Sequence, residues 1–495
     1  MRVFFYLFYK PKIFLLSIIG RFGSMSYRRT NTLLGFILCS GIVSCSWMRE
    51  AELPKTNSPS LFRSANSINT NIESLPYLAW WQQFNDPTLN NLIESSILNN
   101  LELQSSIQSL EQARGQLLQA KLSWIPAVDL FGGYSTNPAF GDIGTFFGAW
   151  PTYTLNIANM IQNQRYASYQ VQEYEAMVNG VRLTLIGQTC SGYFTLIAQQ
   201  QQLYLLNQLY NDIAKLVSLI EQQRKIGLDT DINVTAILAQ QKQIQAQISL
   251  VKHNILVSNN SLKFLINENP GDIESINEFS NYDFNNFHPG DLPANVLANR
   301  PDIIMAQYSV QKSHAGVGVA FSNLFPSIQL DRFFGGGSIN GALSSPDQYV
   351  KMTDAYLDWG ISPATFGQIE AQKGAYYSQI YQYIQTVRKA LRDTDNSFSF
   401  NNRVNEKYAH LSDAFNLINR KYNLQDGLYK SGLISNLMLT QNRIEVDNMK
   451  ITLNQAKLEQ ALSLVNLYQE LAGGYKYTYA TESLNLSNKK YLNQD

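Results

Sequence analysis

Residues 100–126 align with residues 300–326 without a gap, and any fold of this chain must accommodate that repetition. Glu102 falls on Asp302, Leu103 on Ile303, Leu110 on Val310, Ala120 on Ala320 and Pro126 on Pro326, all at an offset of 200. Farther on, Lys225, Gly227 and Leu228 fall on Lys430, Gly432 and Leu433, and Tyr193 falls on Phe398, at an offset of 205. A constant offset over long segments marks two copies of one supersecondary unit. Two unrelated helical stretches of similar composition would not carry proline and glycine at matching points.

Within each copy the hydrophobic period changes in a fixed order. Residues 101–124 are predicted helical, with Leu103, Ile107, Leu110, Leu117 and Leu118 on one face, and Pro126 stops the helix. The period then becomes two: Thr152 to Ile157, Ser327 to Asp331 and Ala355 to Trp359 alternate polar and apolar residues, and Val128, Leu130, Gly132 and Tyr134 give a weaker fourth alternation. Each copy is thus expected to hold two strands, joined by glycine- and proline-bearing loops at 135–151 and 335–348. Two long helical stretches follow in each copy, about 158–224 and 230–267, then about 364–429 and 435–471. At 1.5 Å per residue the longer ones would reach roughly 100 Å. The shorter ones carry apolar seams, Leu437, Ile444, Ile451, Leu458 and Val465 in one and Ile244, Ile248, Val251 and Ile255 in the other. Their remaining faces are rich in Gln, Asn, Ser and Thr, as at Gln199 to Gln202. Gly227 and Gly432 stand where the chain must turn.

Composition narrows the function classes. Lys+Arg and Asp+Glu are both 38, so there is no basic excess to hold a phosphate backbone, and nucleic acid is not an expected partner. Charged residues make up 15% and aromatics 12%, which suits uncharged hydrated surfaces or a membrane interface. Four scattered histidines, His253, His288, His314 and His410, and three cysteines give neither a metal-ligand spacing nor a disulfide framework. Gly316-Val317-Gly318 has Phe321 where a dinucleotide fingerprint needs its third glycine, and Gly335-Gly336-Gly337 lacks the Lys-Ser or Lys-Thr of a phosphate loop. Cys190 has no histidine near it in sequence and is expected to pack in a long helix, and no G-x-S-x-G elbow occurs. No enzyme chemistry, metal or cofactor is expected.

The N-terminus reads as an export signal. Arg28 and Arg29 precede the apolar run Leu33 to Leu38, and Ile42-Val43-Ser44-Cys45 resembles a bacterial lipobox, which predicts cleavage before Cys45 and a palmitate-type lipid on it. Ser46 after the cysteine implies forwarding to the outer membrane. Residues 1–24 carry a second basic and apolar run, from either an over-called start or an extended n-region. Beyond residue 44 no stretch reaches the roughly 20 apolar residues of a spanning helix, so a membrane-crossing chain must use strands. The chain therefore divides into residues 1–24, a signal peptide at 25–44, a leader at 45–79, a first repeat at 80–270, an equatorial linker at 271–299, a second repeat at 300–474 and a tail at 475–495.

Four amphipathic strands cannot close a barrel, and an open edge in lipid costs several kcal/mol per unpaired backbone group. Two copies give eight strands, whose interior fills with side chains, whereas three give twelve and leave a lumen. The expected fold is thus mainly α with a small β part: a long antiparallel α-helical barrel plus four transmembrane β-strands per chain, with a homotrimer closing a 12-stranded β-barrel in outer-membrane lipid. A lipid-anchored coiled-coil spacer capped by strands is the non-transporting alternative.

Several residue groups resemble the TolC-like outer-membrane efflux proteins, and most of all their lipidated NodT-type branch. They are Trp80-Trp81 with Phe84, Asp86-Pro87, Leu89 and Leu92-Ile93, then Leu292-Pro293 with Leu297 and Arg300-Pro301-Asp302, then Gly318-Val319-Ala320 with Phe325-Pro326-Ser327, and finally Leu467-Tyr468 before Gly473-Gly474. The resemblance implies a passive channel-tunnel through outer membrane and periplasm. Its expected partners are a periplasmic adaptor and an inner-membrane pump, either of the drug-efflux type, toward which the lipobox leans, or of a type I protein secretion system.

The resemblance also implies where the inner tip lies, at the turns of Gly227 and Gly432, and that carboxylates just past such turns ring a closed aperture able to hold a cation. Here Asn233, Met438 and Gln441 occupy those positions. Asp229 and Asp231 sit one turn earlier and either form a ring of their own or are simply solvated, as are Lys225 and Lys430. Met438 offers an apolar constriction instead.

Overall fold

The computed structural model describes residues 51–54, 72–135, 144–274, 278–284, 294–339, 350–360 and 362–478. The segment expected to be the export signal, Cys45, Leu292, Pro293, His288 and nearly all of the tail from 475 lie outside the described residues. The described chain forms helices α1 (Pro87–Asn99) and α2 (Leu101–Leu122), strands β1 (Ala127–Ser135) and β2 (Gly144–Leu155), and helices α3 (Ile157–Lys225) and α4 (Asp231–Leu265). The order then repeats as α5 (Pro301–Ser322), β3 (Ser327–Ile339), β4 (Val350–Asp358), α6 (Pro363–Lys430) and α7 (Asn436–Glu470). The long helices have 69 and 68 residues and the shorter ones 35 each. Two compact units result, and each draws on both copies of the repeat: one is built of Pro126–Asn163 and Ser313–Lys373, the other of the rest of the folded chain.

The first unit carries a four-stranded antiparallel sheet in the order β1-β2-β3-β4. The register runs from Ala127↔Thr152 to Ser135↔Gly144, from Leu155↔Ile328 to Gly144↔Ile339, and from Ser327↔Asp358 to Gly335↔Val350. Side chains alternate across a strand, so Asp129, Thr152, Thr154, Gln329, Asp331, Asp354 and Tyr356 share one face, and Val128, Leu130, Tyr153, Ile328, Leu330, Ala355 and Leu357 share the other. The apolar face is uncovered, and Leu130 is 79% exposed. Among the described residues β1 pairs only with β2 and β4 only with β3, so both outer strands keep a free edge.

The strands are longer than the alternation alone predicts. Gly144 to Pro151 belong to β2 and Gly335 to Ile339 to β3, not to the expected loops at 135–151 and 335–348. Glycine reads as a breaker in sequence, yet here its missing side chain makes room for rings. A Cβ at Gly148 would lie 2.5 Å from Cζ of Phe131, and one at Gly335 would lie 2.5 Å from Cζ of Phe333. Phe131 stacks on Phe333 at 5.8 Å, and Trp150 meets Phe333 edge-on at 6.2 Å. Pro151 has no N–H to give, and the β2–β3 ladder passes over Trp150 and Pro151 while keeping its register on either side.

In the second unit the four long helices pack side by side in the order α4, α3, α7, α6. Leu206, Leu209, Ile213, Leu216 and Ile220 of α3 bury against Val234, Ile244 and Ile248 of α4 and Ile444 of α7. Between α6 and α7 polar side chains supply much of the contact: Asn401 donates to Ser463 at 3.0 Å, Gln460 to Asn405 at 2.9 Å and Asn466 to Ser397 at 2.8 Å. Asn454 of α7 donates to the Ala198 carbonyl and to Gln202 of α3, both at 3.0 Å. The glutamines, asparagines and serines that crowd the sequence are thus partly inter-helix rivets.

A second core gathers at the other helix ends. Trp80 and Trp81 are fully buried, and Trp80 stacks on Tyr468 of α7 at 4.6 Å. Asp86 caps α1, with one carboxylate oxygen accepting from the N–H groups of Thr88 at 2.8 Å and Leu89 at 3.3 Å. Its other oxygen accepts from the hydroxyls of Tyr193 and Tyr282, so one fully buried side chain joins three distant stretches of chain. Arg300 donates to Asp302 and to both the carbonyl and the carboxylate of Glu470, which ties the start of α5 to the end of α7. Replacing Asp86 by Ala removes a cap and strands two buried hydroxyls. We expect Asp86→Ala to cost about 3 kcal/mol, and Asp86→Asn, which keeps a capping oxygen, to cost about half that, measured by denaturant unfolding of the extracted protein.

Candidate functional site: the helix turns and the open faces

The two turns are built alike. After α3, the Gly227 N–H donates to the Arg224 carbonyl and the Leu228 N–H to the Gln223 carbonyl, both at 2.9 Å. After α6, Gly432 and Leu433 donate to Tyr429 and Leu428 at the same distances. This is the Schellman pattern, which needs a left-handed residue, and Gly227 and Gly432 have φ of 78° and 76°. The next helix starts within a few residues each time. Ser435 caps α7, its hydroxyl accepting from the Met438 N–H at 3.3 Å.

The turn after α3 brings together three of the expected residues. One Asp229 oxygen accepts from Asn233 Nδ2 at 2.6 Å and from the Thr230 N–H at 2.7 Å, while Asp231 pairs with Arg224 at 2.5 Å. Both carboxylates are therefore engaged within their own turn. At the turn after α6, Lys430 pairs back to Asp426 at 2.6 Å, and that hydrogen bond together with the Asp426 charge raises the Lys430 ammonium above its ordinary pKa. Met438 and Gln441 lie exposed on the first turns of α7.

Sequence reasoning missed the apolar surface at these turns. Ile226, Leu228 and Ile232 are exposed at the first, Ile232 by 78%, and Leu433 at the second. The pairing of Leu228 with Leu433 at offset 205 was the available signal. Two further open faces lie on the outermost helices of the row. Leu250, Val257 and Phe264 are exposed at a spacing of seven along α4, and Phe400, Leu417 and Leu424 are exposed along α6. Such stripes cover a neighbouring helix or stay wet.

Among the described residues no three His, Cys, Asp or Glu side chains cluster as metal ligands, and no helix is long and apolar enough to cross a membrane. Cys190 is fully buried, and burial pushes its thiol far above the usual range, as suits a packing residue.

The model of the outer membrane efflux protein family matches residues 92–268 and 292–473. The chain belongs to that family. It is 24% identical over 473 residues to the multidrug resistance outer membrane protein MdtP of Escherichia coli, a match covering 88% of this chain and 94% of that one. It is 23% identical over 471 residues to nodulation protein T of Rhizobium leguminosarum bv. trifolii, covering 91% and 98%. The fold superposes on the Campylobacter jejuni CmeC outer membrane channel with a TM-score of 0.73 at 20% identity, over 89% of this chain and 97% of that one. The resemblance read from the tryptophan pair, Arg300-Pro301-Asp302 and the paired glycines is thereby borne out, and the NodT-type likeness with it.

In this outer-membrane efflux protein the family's short motifs are structural. Asp86-Pro87 starts α1, and Arg300-Pro301-Asp302 starts α5 and holds α7. The turn glycines follow the same logic. Gly432→Ala meets no obstructing atom but forces an L-residue to positive φ, so we expect a loss of about 1 kcal/mol confined to the turn. Hydrogen exchange should quicken in the last turn of α6 and stay unchanged near Trp80.

Proposed function

We propose that three copies of this protein form the passive outer-membrane exit duct of a tripartite efflux system, carrying drugs or other small molecules past the periplasm. The observation that carries this reading is the sheet, with one face bearing Asp129, Asp331 and Asp354 beside the rings of Phe131, Trp150 and Phe333, one uncovered apolar face and two unpaired edges. In lipid such edges must be paired. Joining β4 of one copy to β1 of the next, three times, leaves no edge and gives twelve strands around a lumen that the carboxylate-bearing face lines. The exposed stripes of α4 and α6 then meet between copies as a helical wall.

A periplasmic adaptor docks at the exposed apolar residues of the two turns, Ile226, Leu228, Ile232 and Leu433, which otherwise have no reason to face water. The inner-membrane pump is of the drug-efflux type, a reading supported by the multidrug resistance named for MdtP. Cys45 carries a lipid that anchors each copy in the outer membrane. The aperture at the turns has no carboxylate ring of the family's kind, because Asn233, Met438 and Gln441 hold those positions and Asp229 and Asp231 are engaged by Asn233 and Arg224.

The decisive experiment is the native mass of the protein extracted from its outer membrane in mild detergent. Three chains, each beginning at lipidated Cys45, are expected; a monomer would overturn the duct and favour a lipid-anchored spacer. Cys45→Ser should leave the signal uncleaved and the lipid mass absent. In planar bilayers, trimer conductance should be unaffected by millimolar divalent cations, whereas strong divalent block would mean that Asp229 and Asp231 form a cation-holding ring.

A further inference from the structure

Thirteen residues before the end of α3, about 20 Å along the helix, Asp212 points into the contact with α7 and is only 3% exposed. Asp447 of α7 is equally buried, at 3%. Asp212 is fully served: one oxygen accepts from Lys215 Nζ and the other from Arg443 Nε, both at 2.8 Å. Asp447 is not. One oxygen accepts from Lys450 Nζ at 3.2 Å, and the other, Oδ2, is buried with no donor among the described residues. Arg443, which holds Asp212, stands one turn before Asp447 on α7, so both buried carboxyl groups face the same contact between α3 and α7, where each acts on the other's titration.

Two ionised carboxylates cannot hydrogen-bond, since each only accepts, and a buried acceptor left unmet is costly. A single proton resolves both problems, because a protonated Asp447 becomes a donor to Asp212. We infer that Asp212 and Asp447 share one proton across the contact between α3 and α7, and that losing it weakens the hold of the first repeat on the second near the turns.

The surrounding charges favour this assignment. From α3 comes Lys215, from α7 come Arg443 and Lys450, and from α6 the Tyr422 hydroxyl faces Arg443. From α4 the same core receives Ile244 and Ile248, which carry no charge. Asp212 thus touches two cations and Asp447 one. Burial alone would raise Asp212, but the hydrogen bonds from Lys215 and Asp447 and the charge of Arg443 outweigh it and hold Asp212 below the usual carboxylate range. Burial, then the hydrogen bond with Asp212, push Asp447 above that range.

The pH dependence has a definite sign. The Asp447 contribution is complete below the ordinary carboxyl pKa and is lost as pH rises through its raised value. The Asp212 contribution is present above the ordinary value and is lost as pH falls through its lowered one. Between these limits the pair holds one proton and the contact is tightest. Above the raised Asp447 value two buried carboxylates face each other, and α3 and α7 are pushed apart. Any effect on passage through a duct rests on the function proposed above, but the shared proton does not.

The test is infrared difference spectroscopy of the full-length protein in detergent over about pH 5 to 8, a range in which ordinary carboxyls are ionised. We expect the carbonyl stretch of a buried carboxylic acid, fading as pH rises and absent in Asp447→Asn. The asparagine keeps the shape of the protonated acid and donates permanently to Asp212, so its thermal midpoint should lose the decline that the wild type shows as pH rises through the raised Asp447 value. Should that variant fold poorly, Asp212→Asn serves: it removes the acceptor of the shared proton and releases Arg443, so the band must shift and fade at lower pH than in the wild type. A band missing from the wild type, unchanged in the variants, or a decline with rising pH retained by Asp447→Asn would each overturn the proposal. None of these readouts needs a trimer or a pore, so their failure is distinct from a monomeric native mass.

Discussion

Backbone pairing at the two ends of a four-stranded sheet governs the rest of this protein. Every N–H and C=O on the free side of β1 and β4 needs a partner wherever water is absent. The side chains agree with the backbone, since one face of the sheet is apolar and bare while the other carries Asp129, Asp331 and Asp354. A sheet with that chemistry suits a boundary between lipid and water, and in the duct proposed above further copies of the chain complete it. The duplication is the economical answer: each copy of the repeat contributes a strand pair, and like copies of the chain can continue the pattern.

The helical half solves a different problem with different residues. Helices wet on two sides cannot bind one another through wide apolar faces, because their outward sides would then be apolar too. Here a narrow apolar seam is supplemented by amide and hydroxyl pairs such as Asn401 with Ser463 and Asn454 with Ala198 and Gln202. Such pairs fix the axial position of one helix against the next, because a shift of one residue would break them all. At one level the rivet is charged, with Arg443 reaching Asp212 from 231 positions away in sequence.

Much of this was legible in the sequence, and the parts that were not share a cause. The ends of all four long and shorter helices fall within two residues of the limits set by periodicity, proline and glycine. Signals of that kind are local. The extension of β2 through Gly144 to Pro151 was hidden because a glycine that admits the ring of Phe131 looks the same in sequence as a glycine that ends a strand. The Asp212 and Asp447 contact was hidden because each carboxylate sits alone in its own helix, and only folding brings them together. The exposed Ile226, Leu228 and Ile232 read as ordinary turn neighbours until their exposure is seen.

The equality of the helices has a consequence for how such a chain can change. The repeat offset grows from 200 at Pro126 and Pro326 to 205 at the turn glycines, and the added residues fall among the strands and their connections. The helices themselves stay matched at 69 against 68 and 35 against 35. One residue added to a helix rotates everything beyond it by about 100° and moves it 1.5 Å. An insertion inside a helix of one copy alone would therefore turn a polar rivet out of its contact and bring another residue into the seam. Length can be gained or lost in this architecture only in step, in both copies and by near-whole numbers of turns, so that the two halves of the gene are bound to one ruler although nothing in their strands requires it.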